Sequence, residues 1–365
     1  MSDDRPIRVL VIDDSAFNRQ TIASMLESDP GIQVVARAAD GDHGLQQAFE
    51  HRPDVITLDL EMPKMGGFTF LRILMRRQPT PVLIVSSHSS RDNVFKALEL
   101  GALDFIAKPT SQVSPELRSI RDDLVRKVRA CLNLSMATLA ERARKAPTVS
   151  TAFPALRPVA APAAAPQAVR LCALGASTGG PPALQQILGA LDPSLALAVL
   201  ITQHMPPRFT GAFAERLGRS SRFEVVEAKG GERLRPGLAL VAPGWGSLCL
   251  ERRGDGFVTR IEPAAAEDRF VPSVDRMLMS AAEAAGPDVL AVILTGMGGD
   301  GGRGVRTVKD RGGQVLAEAP ETAIIFGMPQ EAIATGAVDE IVPLGGIADA
   351  IARFGRRPAG GREGS

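Results

Sequence analysis

The apolar positions in the first third of the chain form short runs that alternate with amphipathic stretches. Helical spacing occurs, for example, over residues 15–28 and 42–50. The apolar runs are RVLVI (8–12), QVVARA (33–38), DVITL (54–58), PVLIVS (81–86) and LDFIA (103–107). Alternation of short branched strands with helices predicts a parallel sheet covered by helices on both faces. Five such units form a complete, small, doubly wound α/β domain.

An alanine- and proline-rich segment separates this domain from the rest of the chain. A charged amphipathic helix at about 115–134 precedes it, and we assign those charges to a solvated helix face. The segment itself reads ARKAPTVSTAFPALRPVAAPAAAPQA (143–168) and has no apolar period. It cannot build a core, and its composition is typical of a semi-extended linker.

The strand–helix alternation resumes at Val169 and continues to about residue 356. Within it, SLCLERRGD (247–255) followed by GFVTRIE (256–262) predicts an inserted β-hairpin. The second domain is therefore expected to be a doubly wound, mostly parallel α/β domain. The predicted divisions are a first domain over 1–135, a linker over 136–168, a second domain over 169–358 and a tail over 359–365.

Composition and charge narrow the class of protein. The chain has 365 residues, 45% of them hydrophobic, and a formal net charge of +1, which gives no reason to expect a nucleic-acid or membrane partner. Its three cysteines form no CxxC pair, which favours a reducing, cytoplasmic location. The acidic N-terminus does not resemble a secretory signal, and no apolar run approaches the ~18 residues of a membrane span.

Charged and hydroxyl side chains follow the strands of the first domain. Asp13 and Asp14 end the first strand and Asp59 ends the third. Three carboxylates at one sheet edge would repel one another unless a hard cation joined them, and oxygen ligands of this kind suit Mg²⁺. A hydroxyl in VSS (85–87) and the ammonium group of Lys108 follow the next two strands. Together they predict a cage for a phosphoryl group on a carboxylate.

This pattern resembles a two-component receiver domain, which has a flavodoxin-like fold with five parallel strands. The resemblance implies that Asp59 is the phosphoacceptor and that Asp13, Asp14 and Asp59 bind Mg²⁺ with the backbone carbonyl of Glu61. It implies that Ser86 and Phe105 form the switch pair and that Lys108 contacts the phosphate. It also implies a cis Lys108–Pro109 bond.

A serine, a histidine and an aspartate follow three apolar strands of the second domain. Ser177 follows RLCALGA, His204 follows ALAVLITQ as the only histidine of this domain, and Asp300 lies among glycines after VLAVILT. Imidazole titrates near neutral pH and can remove the serine proton, while a carboxylate fixes the imidazole tautomer. The chain order and the sequence GASTG differ from an α/β-hydrolase and its GxSxG elbow.

The turn after Ser177 also supplies backbone amides at the start of a helix near Pro181, where an oxyanion would be stabilised. Simpler alternatives remain at this point. Ser177 and Asp300 could each cap a helix, and His204 could be a packing residue. GASTGG could instead bind phosphate, although it lacks both GxGxxG and the Walker lysine.

Seven motifs resemble the chemotaxis protein-glutamate methylesterases, the CheB family. They are LGASTGG, LITQHMPP, ERLRPG, VAPG, VPSVD, VILTGMGGDG and IIFGMPQEA, in that order. The resemblance implies that Ser177 is the nucleophile, His204 the general base and acid, and Asp300 the orienting carboxylate. Thr178 and the backbone of Met297 would line the site. Trp245, Ser247 and residues 262–270 depart from the family pattern.

The implied activity is hydrolysis of glutamate methyl esters on methyl-accepting chemoreceptors, with methanol released, together with glutamine deamidation. The esterase step needs no cofactor. The implied phosphodonor is a CheA-type histidine kinase, and the unphosphorylated receiver would cover the esterase site. Alternatives are a non-catalytic CheB-like binding module and a hydrolase of small esters. A DNA-binding response regulator is disfavoured because the second domain has no basic recognition helix.

Overall fold

Hydrophobic strands joined by amphipathic helices form two units, Met1–Ser150 and Thr151–Ser365. The computed structural model describes residues 5–86, 91–108, 115–134, 169–265 and 268–356. The predicted linker over 136–168, the tail over 359–365 and the Lys108–Pro109 bond lie outside the described residues. The finer domain boundaries therefore stay a prediction.

The first unit contains a five-stranded parallel sheet in the order β2-β1-β3-β4-β5. The strands are β1 (Ile7–Ile12), β2 (Ile32–Ala38), β3 (Val55–Leu58), β4 (Val82–Ser86) and β5 (Asp104–Ala107). The central strand β3 is buried along its whole length, as expected for a parallel sheet covered on both faces. Each strand lies within one residue of the run predicted from sequence.

Within the described part of this unit, five helices connect and cover these strands. They are α1 (Ala16–Glu27), α2 (Gly41–His51), α3 (Gly67–Arg77), α4 (Arg91–Glu99) and α5 (Pro115–Ala130). Polar side chains begin two of them, since Ser15 accepts from the amide of Asn18 and Asp40 accepts from that of His43. The predicted flavodoxin-like fold of this unit is confirmed.

The second unit is built on a seven-stranded parallel sheet in the order β14-β13-β12-β6-β7-β9-β8. Its strands are β6 (Arg170–Ala176), β7 (Leu197–Gln203), β8 (Glu224–Glu227), β9 (Leu238–Val241), β12 (Val289–Ile293), β13 (Gln314–Glu318) and β14 (Glu340–Val342). The predicted hairpin is present as β10 (Gly246–Arg253) and β11 (Gly256–Pro263), which pair with each other as a separate antiparallel ribbon.

The described residues of this unit form six α-helices. They are α6 (Gly180–Ala190), α7 (Thr210–Ser220), α8 (Val274–Ala285), α9 (Gly302–Asp310), α10 (Gly327–Ala334) and α11 (Leu344–Arg356). Helix α8 packs between the sheet and β10, so the hairpin shares the hydrophobic core. The predicted doubly wound α/β fold is thus confirmed for the second unit.

Strand order decides where the predicted site residues meet. β12, β6, β7 and β9 are adjacent and parallel, so they end at one sheet edge, which we call the carboxyl edge. Ligands of open α/β sheets bind beyond such an edge. Among the described residues, no helix is both long and apolar enough to cross a membrane.

Candidate catalytic and receiver sites

Ser177 follows the last residue of β6 and is buried at the carboxyl edge. Its amide donates to the carbonyl oxygen of Thr295 at 3.1 Å, and its carbonyl oxygen accepts from the amide of Gly180 at 2.8 Å. Gly180 begins α6, with prolines in the first turn as the sequence predicted. The serine therefore lies between the end of a strand and the N-terminus of a helix, where the helix dipole favours negative charge.

His204 follows the neighbouring strand, β7, and is tied to the serine through the backbone. Its amide donates to the carbonyl oxygen of Ala176 at 3.0 Å. The buried side-chain amide of Gln203 donates to the carbonyl oxygens of Ser177 at 2.8 Å and His204 at 3.1 Å. This double contact, which sequence analysis missed, fixes the two strand ends relative to each other.

Asp300 accepts a hydrogen bond from His204, with 2.8 Å between Oδ2 and Nε2. It also lies at the N-terminus of α8, where it accepts from the amides of Val274 at 2.7 Å and Asp275 at 2.9 Å and from the hydroxyl of Ser273 at 3.1 Å. Burial alone would raise the pKa of Asp300, but the hydrogen bond and charge of His204 and these amides lower it below the ordinary value. The carboxylate form is therefore favoured.

The second ring nitrogen of His204, Nδ1, is buried and has no hydrogen-bond partner. The structure thus brings His204 and Asp300 into contact but does not close a hydrogen bond between Ser177 and His204. Since Nε2 is occupied by Asp300, Nδ1 is the nitrogen left to accept a proton. Chymotrypsin-like proteases use the two nitrogens the other way round. Catalytic hydrogen bonds commonly tighten only when substrate binds.

The two predicted lining residues lie on loops of the same edge. Thr178 is buried, and its carbonyl oxygen accepts from the hydroxyl of Thr295 at 3.0 Å. Met297 is half-buried in the loop after β12, three residues before Asp300. The structure therefore gathers Ser177, Thr178, His204, Met297 and Asp300 at one end of the sheet. Their catalytic roles stay a prediction.

Of the residues that depart from the family pattern, Ser247 and Phe270 contact segments of this site. Ser247 is buried and accepts a hydrogen bond from the amide of Ser273 at 3.1 Å. Trp245 is 53% exposed in the loop after β9, next to the strand that carries His204. Phe270 stacks on the imidazole of His204, a contact that sequence analysis missed because nothing in the spacing predicts it.

In the first unit, Asp13, Asp14 and Asp59 converge at the ends of β1 and β3. One carboxylate oxygen from each lies within 4.8 Å of the others. The Lys108 ammonium nitrogen is 2.6 Å from Oδ2 of Asp59 and 3.2 Å from Oδ2 of Asp13. Asp13 and Asp59 are buried, whereas Asp14 is exposed. The structure thus brings together all four charged groups that the sequence predicted.

Electrostatics at this cluster favour a cation. Burial raises the pKa of Asp59 above its ordinary value, although the hydrogen bond and charge of Lys108 oppose this shift. Burial would lower the pKa of Lys108, but contacts with Asp59 and Asp13 raise it. Two buried carboxylates beside one ammonium, with a third carboxylate nearby, suit the all-oxygen coordination of Mg²⁺. The residues present therefore fit the metal.

The remaining predicted receiver residues lie on β4, on β5 and in the loop after β3. The Ser86 side chain is buried at the end of β4, and its carbonyl oxygen accepts from the amide of Lys108 at 2.8 Å. Phe105 is buried, with its ring edge-to-face with Phe95 at 6.5 Å between ring centres. The amide of Glu61 donates to Oδ1 of Asp59 at 3.3 Å, which places its backbone beside the phosphoacceptor candidate.

Comparison with known proteins identifies a family for each of the two units. The CheB methylesterase family matches residues 172–351, and the response regulator receiver domain matches residues 9–117. A protein-glutamate methylesterase/protein-glutamine glutaminase of Geobacter sulfurreducens is 50% identical over 93% of this chain and 95% of its own length. One from Myxococcus xanthus is 48% identical over 98% of this chain and 99% of its own length.

A solved structure supports the second unit separately. The crystal structure of the Thermotoga maritima CheB methylesterase catalytic domain matches with a TM-score of 0.50 and 36% identity. It covers 51% of this chain and 98% of that domain. Because these similarities extend over nearly the whole chain, it belongs to the protein-glutamate methylesterase/protein-glutamine glutaminase family, the CheB methylesterases with a receiver domain.

Proposed function

We propose that this protein hydrolyses glutamate methyl esters on methyl-accepting chemoreceptors and that phosphorylation of its receiver domain regulates the reaction. Methanol is released and the receptor regains a carboxylate, which allows sensory adaptation. The observation that carries the proposal is the hydrogen bond between His204 and Asp300 beside Ser177, with Nδ1 of the imidazole unpaired. This arrangement leaves one ring nitrogen of His204 available to act as a base towards the hydroxyl of Ser177.

In the first half of the reaction, Ser177 Oγ attacks the ester carbonyl carbon while His204 Nδ1 takes the serine proton. The imidazolium cation formed is stabilised by Asp300, which also keeps the ring proton on Nε2. The tetrahedral intermediate collapses as the bond to the methoxy group breaks. His204 gives its proton to that oxygen, and methanol leaves an acyl-enzyme on Ser177.

In the second half, water attacks the acyl-enzyme and His204 accepts a proton from it. The ester bond to Ser177 breaks, and His204 returns the proton to the serine oxygen. The product is the glutamate carboxylate, with one proton released to solvent. A glutamine side chain follows the same two steps with ammonia as the leaving group, so we also propose deamidase activity.

Negative charge on the tetrahedral oxygen needs donors that are already in place. We assign this role to the backbone amides that follow Ser177, including that of Thr178, with Met297 lining the opposite loop. The N-terminus of α6 adds a favourable dipole at the same point. Loss of one such donor in serine hydrolases costs about 10²- to 10³-fold in kcat.

In the first unit we propose that Asp59 is phosphorylated by a CheA-type histidine kinase. Asp13, Asp14 and Asp59, with the backbone carbonyl of Glu61, would hold Mg²⁺, which neutralises charge on the phosphoryl oxygens. Lys108 would contact the phosphate. Ser86 and Phe105 would respond to it as the switch pair. The close approach of Lys108 to both buried carboxylates supports this assignment.

For the domain organisation we propose a receiver over 1–135, a linker over 136–168, a methylesterase domain over 169–358 and a tail over 359–365. The unphosphorylated receiver would restrict access to the esterase site, and phosphorylation would relieve the restriction. A tenfold change in the accessible population needs only about 1.4 kcal/mol. We propose a cytoplasmic location because Cys131, Cys172 and Cys249 are all free thiols.

The test is methanol release from membranes that carry methylated receptors. Wild-type protein should release methanol, and Ser177→Ala should release none while keeping its circular dichroism spectrum. Turnover of small methyl esters but not of receptors would instead favour a small-ester hydrolase. A serine-directed phosphonate should label Ser177 in the wild type, and failure to label it would favour a non-catalytic binding module.

A further inference from the structure

The segment before α8 places an aromatic ring against the candidate catalytic base. The rings of Phe270 and His204 are stacked, with 5.0 Å between their centres and 4° between their planes. Phe270 is half-buried, and the guanidinium carbon of Arg269 lies 5.6 Å from the centre of its ring. A flat ring parallel to an imidazole covers one of its two faces.

The hydrogen bonds of the His204 side chain do not by themselves fix the orientation of its ring. The imidazole has one side-chain partner, Asp300, through Nε2, while Nδ1 has none. A single hydrogen bond fixes the position of one ring edge but restrains the tilt of the ring only weakly, because hydrogen bonds tolerate a range of angles. A parallel neighbour restrains that tilt and so the direction in which Nδ1 points. It also removes solvent from one face.

The segment that carries Phe270 also binds Asp300, and the loop that carries Asp300 also approaches Phe270. Ser273, three residues after Phe270, donates its hydroxyl to Asp300 and its amide to Ser247. On the other side, Gly298 has φ +91°, and a Cβ there would come within 3.1 Å of the Phe270 ring. Two residues after Gly298 the chain reaches Asp300, so the stacked ring and the hydrogen-bonded carboxylate are supported together.

We propose that Phe270 is a positioning residue for His204, setting the plane of the imidazole so that Nδ1 points to Ser177. This inference rests on the proposed function. It also gives a role to the divergent loop over 262–270, whose sequence departs from the family pattern. The face of the ring further stabilises the imidazolium formed in each half of the reaction, since aromatic faces attract cations.

The test compares a variant that loses the ring with one that keeps it. Phe270→Leu retains an apolar side chain without a π face, whereas Phe270→Tyr retains the face. We expect Phe270→Leu to lower kcat for receptor demethylation about 10-fold, as for small misplacements of reacting groups, with KM changed less than about twofold. Phe270→Tyr should stay within about twofold of wild type.

Two further measurements distinguish an effect on the orientation of His204 from a wider disturbance of the site's structure. The rate at which a serine-directed phosphonate labels Ser177 should fall in Phe270→Leu by the same factor as kcat, because that reaction needs the base but no receptor. Nitrogen-15 NMR of the imidazole should show one tautomer, with the proton on Nε2, in the wild type. Phe270→Leu should show the same tautomer, because Asp300 still holds that proton, so its loss of rate would come from the tilt of the ring rather than from a lost contact with Asp300. If Phe270→Leu does not fold, Phe270→Met serves as the ring-free variant.

Equal rates for the ring-free variant and the wild type would overturn the proposal. So would an effect confined to KM, since Phe270 would then act on the substrate rather than on His204. These results are distinct from failure of the proposed function, in which the wild type itself would neither release methanol nor react with the phosphonate.

Discussion

Asp300 accepts hydrogen bonds from four donors, which are the imidazole of His204, two backbone amides and the hydroxyl of Ser273. Both carboxylate oxygens are used, and each accepts two of these bonds. An amide side chain has only one oxygen, so Asp300→Asn would turn an N–H group towards donors on one side. Because asparagine keeps the shape of aspartate, the substitution tests whether the negative charge and second acceptor oxygen of Asp300 are needed to orient His204.

For Asp300→Asn we expect kcat for methanol release to fall about 10⁴-fold, the loss known for the same change in serine-protease triads. Phosphonate labelling of Ser177 should slow in parallel. Asp255→Asn is the matched control, because Asp255 is an exposed carboxylate that pairs with Arg233. Activity of Asp300→Asn equal to that of the control would contradict the role proposed for Asp300.

The cysteines allow a second prediction at this scale. All three are buried, and burial raises the pKa of the Cys249 thiol to about 11 and those of Cys131 and Cys172 well above their ordinary values. At pH 8 about one Cys249 in a thousand would be a thiolate, the form that reacts. Native protein should therefore resist thiol reagents at pH 8, while denatured protein reacts at all three. Rapid labelling of native protein would contradict this.

At the scale of elements, the start of α6 is packed too tightly to accept a side chain. A Cβ on Gly180 would come within 2.1 Å of Oε1 of Gln203 and 2.8 Å of Cβ of Ala176. Gln203 is the residue whose amide joins the carbonyl oxygens of Ser177 and His204. Displacing it therefore disturbs the alignment of the two strand ends.

We expect Gly180→Ala to slow phosphonate labelling of Ser177 by about 10²-fold, as for a misplacement of about 1 Å. Gly345→Ala is the control, because Gly345 also lies in the first turn of a helix, α11, and a Cβ there meets no atom within 4 Å. That control should match the wild type in rate and in melting temperature. Similar rates for both variants would show that the Gln203 contact does not matter.

The elements themselves were predictable because their apolar patterns are strong. Parallel strands that end in polar residues indicated where Ser177, His204 and Asp300 would meet, and the structure places all three loops at one edge. The contacts of Gln203 and Phe270 were not predictable. Each joins segments that are distant in sequence, and neither residue type nor spacing encodes how such segments pack.

At the scale of the whole molecule, the proposed regulation predicts a response that depends on one residue. With Mg²⁺ and a small phosphodonor, wild-type protein should release methanol faster than without them. Asp59→Asn should keep the basal rate and lose the stimulation, because the amide cannot accept a phosphoryl group. A chelator should abolish the stimulation in the wild type. Stimulation that persists in Asp59→Asn would rule out Asp59 as the regulatory phosphoacceptor.

Removal of the first unit tests the inhibitory part of the proposal. A chain that lacks residues 1–168 should show higher basal methanol release than unphosphorylated full-length protein, and it should not respond to a phosphodonor. If the shortened chain is folded by circular dichroism but no more active than the unphosphorylated whole, the receiver does not restrict access.

Trp245 is an intrinsic fluorescent probe for binding near the carboxyl edge. It is the only tryptophan, the chain has no tyrosine, and its side chain is 53% exposed beside the strand that carries His204. Fluorescence excited at the red edge of tryptophan absorption therefore comes from this one side chain, close to the carboxyl edge. A receptor, an inhibitor or a neighbouring part of the chain that contacts Trp245 would shift the emission maximum and the anisotropy of this fluorescence, so no added dye is needed.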